Sequence, residues 1–250
     1  MEIVKHPTLR TDAIGRVARV VGRFDDPGMD TTIAILSHGL PYEWAPEIEA
    51  YVDELPAHVP ARAKRGRKDL RKLPLITIDG ADAKDYDDAV YCESKGEGWR
   101  LIVAIADVSY YVKPDTDIDT EARARGTSVY FPDQVIPMLP EALSNGLCSL
   151  NPHVDRLCLC CDMTVSSTGQ VTRSRFYEGV MRSAERFTYE ETFQLLEGRI
   201  LQGRKQMLKP QVESLREVYQ AFEKKRRRRG AIDFDLSETA IELDDRGQVK

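Results

Sequence analysis

Residues 76–89 read Ile-Thr-Ile-Asp-Gly-Ala-Asp-Ala-Lys-Asp-Tyr-Asp-Asp-Ala, which places five aspartates within ten residues. Apolar runs at 73–78 and 89–91 flank the acids, so the acids lie between two predicted strands. Carboxylates crowded beside buried strands repel one another and lose hydration. A hard divalent cation offsets both effects, and Mg²⁺ takes oxygen ligands of this kind. The stretch therefore predicts where the protein does its chemistry.

The spacing of the acids indicates how they could share a cation, with Mn²⁺ as an alternative to Mg²⁺. Asp85 and Asp87 point to one side of an extended backbone, and Asp88 points to the other. Gly80 permits a sharp or left-handed turn that would fold Asp79 back toward them. Two metal ions about 4 Å apart can activate a water molecule and stabilise the leaving oxygen of a phosphodiester.

Two other interpretations of the acidic stretch stay open from the residues alone. The first is a solvated acidic loop in a structural or regulatory protein. The second is a Ca²⁺ loop of the EF-hand type, although the spacing departs from Asp-x-Asp-x-Asp-Gly and the twelfth position holds no Glu. The flanking apolar runs weigh against the solvated loop without deciding the matter.

The composition of the chain excludes several classes of protein. With 250 residues, 42% apolar and 31% charged, it is typical of a soluble globular protein with one large domain or two unequal ones. No apolar run approaches the roughly 20 residues that span a bilayer, and the first residues lack the apolar core of a signal peptide. Five cysteines without a secreted-scaffold spacing favour a reducing cytoplasm, and strand-like alternation predicts that Cys158, Cys160 and Cys161 pack in the core.

The positive charge is clustered although the net charge is −5. Residues 62–72, here called the basic segment, hold seven Lys or Arg against the single acid Asp69. Its members Arg65, Arg67 and Lys68 are candidates to follow the backbone of a nucleic acid, since phosphate attraction does not depend on base sequence. A charged, solvated linker is the alternative. A second basic run, 224–229, ends a predicted helix, where cations favourably meet the helix dipole.

The coarse organisation is α+β. Residues 1–50 read as the end of a small β domain with strands near 14–22 and 31–36, so we expect that domain to begin before Met1, and residues 51–70 read as a linker. After them we expect a helix at 118–125, a hairpin with strands at 157–165 and 171–180, a helix opened by the capping box of Thr188 and Glu191, and a longer helix through 212–222 that ends at Gly230.

A family resemblance adds to this interpretation. The segment Leu73-Pro-Leu-Ile-Thr-Ile-Asp-Gly-Ala-Asp-Ala-Lys-Asp-Tyr-Asp-Asp-Ala-Val-Tyr91 closely resembles the signature of the exoribonuclease II family, whose catalytic module is the RNB domain, and particularly its ribonuclease R branch. The resemblance continues through Val103-Ala-Ile-Ala-Asp-Val-Ser-Tyr-Tyr-Val112, Arg125-Gly-Thr-Ser-Val-Tyr-Phe-Pro132, Ile136-Pro-Met-Leu-Pro140 and Leu143-Ser-Asn-Gly-Leu-Cys-Ser-Leu-Asn-Pro152. It covers about residues 71–186 strongly.

The resemblance implies the fold and the organisation of the chain. It indicates the N-terminal part of a mixed RNB-type catalytic domain at 71–250, preceded at 1–50 by the C-terminal part of a β-barrel domain of the cold-shock or OB type. The family's distal arginine-rich motif and its S1 domain have no counterpart here. We therefore expect an internal fragment with a truncated catalytic domain.

The resemblance also implies residue roles. Asp79, Asp85, Asp87 and Asp88 correspond to the family's Mg²⁺ ligands, with Asp85 and Asp87 as the catalytic pair, whereas Asp82 is a solvated bystander or lies behind the ligands. Tyr130 corresponds to an aromatic residue that stacks on a 3′-terminal base, against the alternative that it is a strand core residue.

The implied activity is processive hydrolysis of RNA from its 3′ end to nucleoside 5′-monophosphates. We expect the single-stranded 3′ end to enter a channel, and a monomer that uses no small-molecule cofactor and no membrane. The alternative function is a catalytically incomplete fragment that binds RNA without cleaving it.

Overall fold

A computed structural model describes residues 2–232, 241, 243 and 244 of the chain. In chain order, its strands are β1 (Glu2–Lys5), β2 (Ile14–Arg16), β3 (Lys68–Asp69), β4 (Ile76–Asp79), β5 (Asp88–Lys95), β6 (Gly98–Ala106), β7 (Val129–Tyr130), β8 (Val135–Ile136), β9 (Asp155–Val165), β10 (Val171–Arg182) and β11 (Glu185–Thr188). Its helices are α1 (Met29–Ser37), α2 (Pro46–Asp53), α3 (Asp117–Arg125), α4 (Tyr189–Leu196), α5 (Arg204–Met207) and α6 (Lys209–Arg228). The predicted α+β class is confirmed. The described residues form two compact units, one of 45–126 with 137–232 and one of 2–44 with 127–136, 241, 243 and 244.

The larger unit is built on a seven-stranded sheet in the order β11-β4-β5-β6-β9-β10-β3. The pairings from β4 to β10 are antiparallel, and the outer pairings β11–β4 and β10–β3 are parallel. Ile76 pairs with Val90, so the last residue of β4 and the first residue of β5 lie at the same end of the sheet. Thr188 pairs with Asp79 at that end. The topology thus brings the two borders of the acidic stretch together.

Helices α4 and α6 cover part of one face of this sheet. Phe187, Leu195 and Val212 lie in one buried cluster, and Val165 and Val218 lie in another beneath α6. Burying a large apolar side chain stabilises the fold by about 1.5–3 kcal/mol. Helix α6, Lys209–Arg228, spans the long helix predicted through 212–222, so that prediction is confirmed. In the described part of the chain, no helix combines the length and apolarity that crossing a bilayer requires.

Local signals in the larger unit gave the expected elements. The hydroxyl of Thr188 accepts a hydrogen bond from the Glu191 amide (3.1 Å), and the Glu191 carboxylate accepts one from the Thr188 amide (2.9 Å), which confirms the capping box of α4. Strands β9 and β10 form the predicted hairpin. Gly169 in its turn has φ 75°, and a Cβ there would lie 2.5 Å from the Ala221 carbonyl oxygen, so only glycine lets α6 pass this closely.

The smaller unit departs from the sequence prediction. The strand predicted at 31–36 is wrong, because these residues lie within α1, which buries Met29 and Ile35 and has Asp30 in its first turn. The strand predicted at 14–22 extends only over β2, which pairs with β1. β-branched residues favour strands only weakly, and tertiary packing overrides that preference. Strands β7 and β8 form a second short pair in this unit.

Candidate active site

The acidic residues occupy the end of the sheet where β4 stops and β5 starts. Asp79 is the last residue of β4 and is half-buried, whereas Asp88 is the first residue of β5 and is exposed. Between them, Asp85 is half-buried, and Asp82 and Asp87 are exposed. The structure therefore gathers the predicted acids on one loop, residues 80–87, and its two borders; residues 79–88 are called the acidic loop below.

The backbone around Asp85 is held by a buried serine. The hydroxyl of Ser149 accepts a hydrogen bond from the Tyr86 amide (3.0 Å) and donates one to the Lys84 carbonyl (3.0 Å). Those two groups belong to the peptide units on either side of Asp85. The backbone at Asp85 is consequently fixed rather than free in solvent.

The backbone around Asp87 is held in the same way. The Leu150 amide donates to the Tyr86 carbonyl (2.8 Å), and the Ala106 amide donates to the Asp87 carbonyl (2.8 Å). These carbonyls belong to the peptide units before and after Asp87. Consecutive peptide units from Lys84 to Asp88 are thus all anchored to neighbouring segments, which argues against a merely solvated loop.

Arg186 holds the first part of the acidic loop. Its Nη2 donates to the carbonyls of Gly80 (3.0 Å) and Ala81 (2.6 Å), and its guanidinium lies 4.8 Å from the ring centroid of Tyr86. The backbone at Gly80 does not adopt the left-handed conformation that a glycine permits, because its φ is not positive. A Cβ at Gly80 would instead lie 3.0 Å from the Asp82 carboxylate, so the turn is tight for a steric reason.

The electrostatics of the acidic loop favour a cation. Burial raises the pKa of the Asp79 carboxyl, repulsion by Asp88 raises it further, and the Arg186 guanidinium acts in the opposite direction. Although Asp87 is exposed, neighbouring protein atoms exclude part of the water around its carboxyl and raise its pKa, and repulsion from Asp85 and Asp88 raises it further. One oxygen of Asp79, Oδ2, is buried and has no hydrogen-bond partner among the described residues.

These residues fit a hard divalent cation, although they do not already form its cage. In the ranges that the structure describes, no three Asp, Glu, His or Cys side chains are placed as the ligands of a metal ion. Like charges repel at close range, so a compact set of carboxylates gathers only around a cation. The oxygen donors, the buried orphan oxygen of Asp79 and the anchored backbone match the preference of Mg²⁺ for carboxylate ligands.

The structure separates the three basic candidates. Arg65 and Lys68 are exposed, and the Lys68 ammonium lies 4.4 Å from the Tyr177 ring centroid. The Arg67 side chain is instead only 6% exposed and lies 2.5 Å from the carboxylate of Asp107, which is itself 3% exposed. For Arg67 this geometry favours a structural role over contact with RNA. The RNA-binding assignments of Arg65 and Lys68 stay predictions.

Tyr130 lies in the smaller unit, on β7, where it pairs with Val135. Its side chain is exposed, which contradicts the alternative that it is a strand core residue. Cys158 and Cys160 are buried, as predicted, with their sulfur atoms 3.4 Å apart, and Cys161 is half-buried.

The sequence interpretation missed three residues at or near the site. Ser149 and Arg186 hold the acidic loop, and Asp107, which follows Ala106 at the end of β6, pairs with Arg67. The signal for Ser149 was a lone hydroxyl within an apolar stretch, Leu147-Cys-Ser-Leu150. Arg186 and Asp107 gave no local signal, because their partners are distant in sequence.

Two protein-family models match the chain. A family model described as RNB domain matches residues 67–250, and one described as cold shock domain matches residues 1–45. The first match covers more than half of the chain.

Two curated relatives are similar over nearly the whole chain. Ribonuclease R of Vibrio cholerae is 55% identical over 241 residues, which cover 96% of this chain and 29% of the relative. Ribonuclease R of Escherichia coli is 54% identical over 240 residues, which cover 95% of this chain and 30% of the relative. The chain thus spans less than a third of the length of these relatives.

A solved structure shows the same fold. Ribonuclease R of Mycoplasma genitalium in complex with double-stranded RNA superposes with a TM-score of 0.92 at 28% identity. The match covers 99% of this chain and 44% of that one.

Proposed function

The chain belongs to the RNB-domain family, and from that premise we propose that this protein is a Mg²⁺-dependent 3′→5′ exoribonuclease that degrades RNA processively to nucleoside 5′-monophosphates. The observation that carries the proposal is the acidic loop, whose backbone is anchored while a buried oxygen of Asp79 is left without a hydrogen-bond partner in the described residues. Mn²⁺ would serve the same donors.

The four acids divide into two pairs in this proposal. Asp79 and Asp88, on the adjoining ends of β4 and β5, would hold one ion, and Asp85 and Asp87 would complete a second site and orient the attacking water. Bound Mg²⁺ would lower the pKa of that water and neutralise charge on the leaving oxygen. Asp82 is not among the residues that correspond to the family's metal ligands, so it would take no part.

The substrate contacts in this proposal are independent of base sequence. Tyr130 would stack on a base at the 3′ end, and Arg65 and Lys68 would attract phosphates. Stacking and charge tolerate every sequence, as a degradative enzyme requires. The solved relative with bound double-stranded RNA supports RNA as the ligand.

The compartment proposed is the cytoplasm. All five cysteines are thiols, and four of them are buried, an arrangement suited to a reducing environment. We also propose that the protein acts as a monomer.

The decisive assay uses an oligoribonucleotide with a labelled 3′-terminal nucleotide and the protein expressed from its complete reading frame. We expect Mg²⁺-dependent release of labelled mononucleotide. Asp87→Asn should lower the rate by about 10³-fold while RNA affinity is kept, because the variant removes a charge that orients water and not the RNA contacts. Asp82→Asn is the matched control and should leave the rate within about twofold.

A second candidate function is RNA binding without hydrolysis. It is favoured by the finding that, among the described residues, no three Asp, Glu, His or Cys side chains are placed as the ligands of a metal ion. The same assay separates the two: binding of the labelled RNA without mononucleotide release, at any Mg²⁺ or Mn²⁺ concentration, supports the binder. A fully active Asp87→Asn variant would contradict the assignment of the catalytic pair.

A further inference from the structure

Ser149 is a fully buried hydroxyl that touches the acidic loop at two points. It donates to the Lys84 carbonyl and accepts from the Tyr86 amide, each at 3.0 Å. A serine hydroxyl offers one donor and two acceptor positions. Here it therefore joins the two peptide units that flank Asp85 through a single oxygen atom.

Hydrogen bonds from neighbouring residues fix the backbone of Ser149. Arg156, which is 8% exposed, donates from Nε to the Ser149 carbonyl (2.7 Å). Asn151 donates to the same carbonyl through its side-chain amide (3.4 Å). The next residue, Leu150, donates its amide to Tyr86 (2.8 Å). The Ser149 oxygen is thus fixed by the fold before any ligand binds.

We propose that Ser149 is a positioning residue, which sets the direction of the Asp85 carboxylate and its spacing from Asp87 and thereby the affinity of the acidic loop for divalent cations. The inference rests on the proposed function, because it assumes that these carboxylates bind Mg²⁺ or Mn²⁺. Groups that orient metal ligands typically change metal affinity or activity by about 10- to 100-fold when they are removed.

The alternative is that Ser149 only stabilises the fold. Ser183 offers a matched control, because it is also a buried serine (1% exposed) whose hydroxyl bonds backbone carbonyls, those of Leu75 (3.5 Å) and Glu185 (3.2 Å). Those carbonyls lie away from the acidic loop. Ser183→Ala therefore reports the general cost of removing a buried hydroxyl.

The experiment titrates Mn²⁺ alone into the protein expressed from its complete reading frame and follows binding by electron paramagnetic resonance. The variants are Ser149→Ala, Ser149→Thr and Ser183→Ala. Amide hydrogen exchange of residues 80–88 is measured in each variant, so that the comparison does not depend on activity and reports the loop even if one variant is less stable.

We expect Ser149→Ala to raise the half-saturating Mn²⁺ concentration about tenfold and to accelerate exchange of the Tyr86 amide. Ser149→Thr, which keeps the hydroxyl, should stay close to the wild type, and so should Ser183→Ala. If Ser149→Ala matches Ser183→Ala in Mn²⁺ binding and loop exchange while the wild type binds normally, the inference is overturned alone. A wild type without a saturable Mn²⁺ site would instead overturn the proposed function and this inference with it.

Discussion

The acidic loop and the basic segment both carry dense charge, but they differ in which of their groups find partners in the rest of the protein. In the acidic loop, residues 79–88, hydrogen bonds from other segments hold the backbone at residues 80–81 and 84–87, and Asp79 keeps a buried oxygen without a partner in the described residues. In the basic segment, residues 62–72, the side chains themselves find partners: Lys64 lies 2.6 Å from Asp155, and Arg67 lies 2.5 Å from Asp107. A charged run indicates a ligand site only where the fold leaves its charges uncompensated.

The counter-ions of the basic segment come from distant strands. Asp107 follows β6, and Asp155 opens β9, where it contacts Lys64, Arg71 and Arg182. Arg71 also pairs with Asp69 inside the segment. This network ties the segment to the sheet. The basic segment is therefore largely tied to the sheet by ion pairs, and Arg65 and Lys68 are among its exposed members.

The largest expected effect tests the buried ion pair. Arg67→Met keeps most of the side-chain volume but leaves the Asp107 carboxylate buried without its cation, so we expect the free energy of unfolding to fall by about 3–5 kcal/mol. Urea unfolding measures this. Arg65→Met, at an exposed position, should change it by less than about 0.5 kcal/mol. Equal effects of the two variants would break the contrast between Arg67 and its exposed neighbour.

The next effect depends on pH. Burial alone would raise the pKa of Asp155, but hydrogen bonds from Lys64 and Arg182 outweigh it and hold the pKa below its ordinary value. The folded state then binds fewer protons than the unfolded state, so this stabilisation is present above about pH 4 and is lost as the pH falls through the lowered pKa.

Asp155→Asn is the variant that reveals this dependence. We expect it to lower the free energy of unfolding by about 2 kcal/mol at pH 7, because charge-assisted hydrogen bonds are lost. The difference from the wild type should shrink as the pH falls below about 4, where the carboxyl of the unfolded wild type takes up a proton, and should disappear below the lowered pKa of the folded state. Urea unfolding between pH 7 and pH 2.5 measures it, and a difference that stays constant would contradict the assigned ion network.

The sequence predicted the features that depend on nearby residues. The capping box of Thr188, the hairpin around residues 166–170 and the acidic loop each need only a few consecutive positions. Other contacts at and near the site join residues that are distant in sequence. Arg67 donates to Asp107, 40 positions away, and Ser149 donates to the Lys84 carbonyl, 65 positions away. Propensity alone also misassigned α1, where packing of Met29 and Ile35 outweighs β-branched composition.

A smaller effect tests the anchoring of the acidic loop. Arg186→Lys keeps the positive charge but loses the planar guanidinium whose Nη2 donates to both the Gly80 and Ala81 carbonyls. We expect the free energy of unfolding to fall by about 1 kcal/mol, as for one lost hydrogen bond. Arg199→Lys, at an exposed position, is the control and should be neutral. If the two variants agree, the loop is held by Ser149 and its neighbours alone.

The smallest expected change in stability belongs to the exposed residues of the basic segment, whose contact with RNA is tested by the salt dependence of RNA affinity. Arg65→Gln and Lys68→Gln should each alter the free energy of unfolding by less than about 0.5 kcal/mol, since both side chains are exposed. If each side chain meets one phosphate, each variant should reduce the slope of log affinity for RNA against log salt by about 1. A folded Arg67→Met variant should leave that slope unchanged, because in the wild type the Arg67 guanidinium is paired with Asp107 and not with a phosphate. If Arg67→Met reduces the slope and Arg65→Gln does not, the assignment is wrong: Arg67 contacts RNA and Arg65 does not.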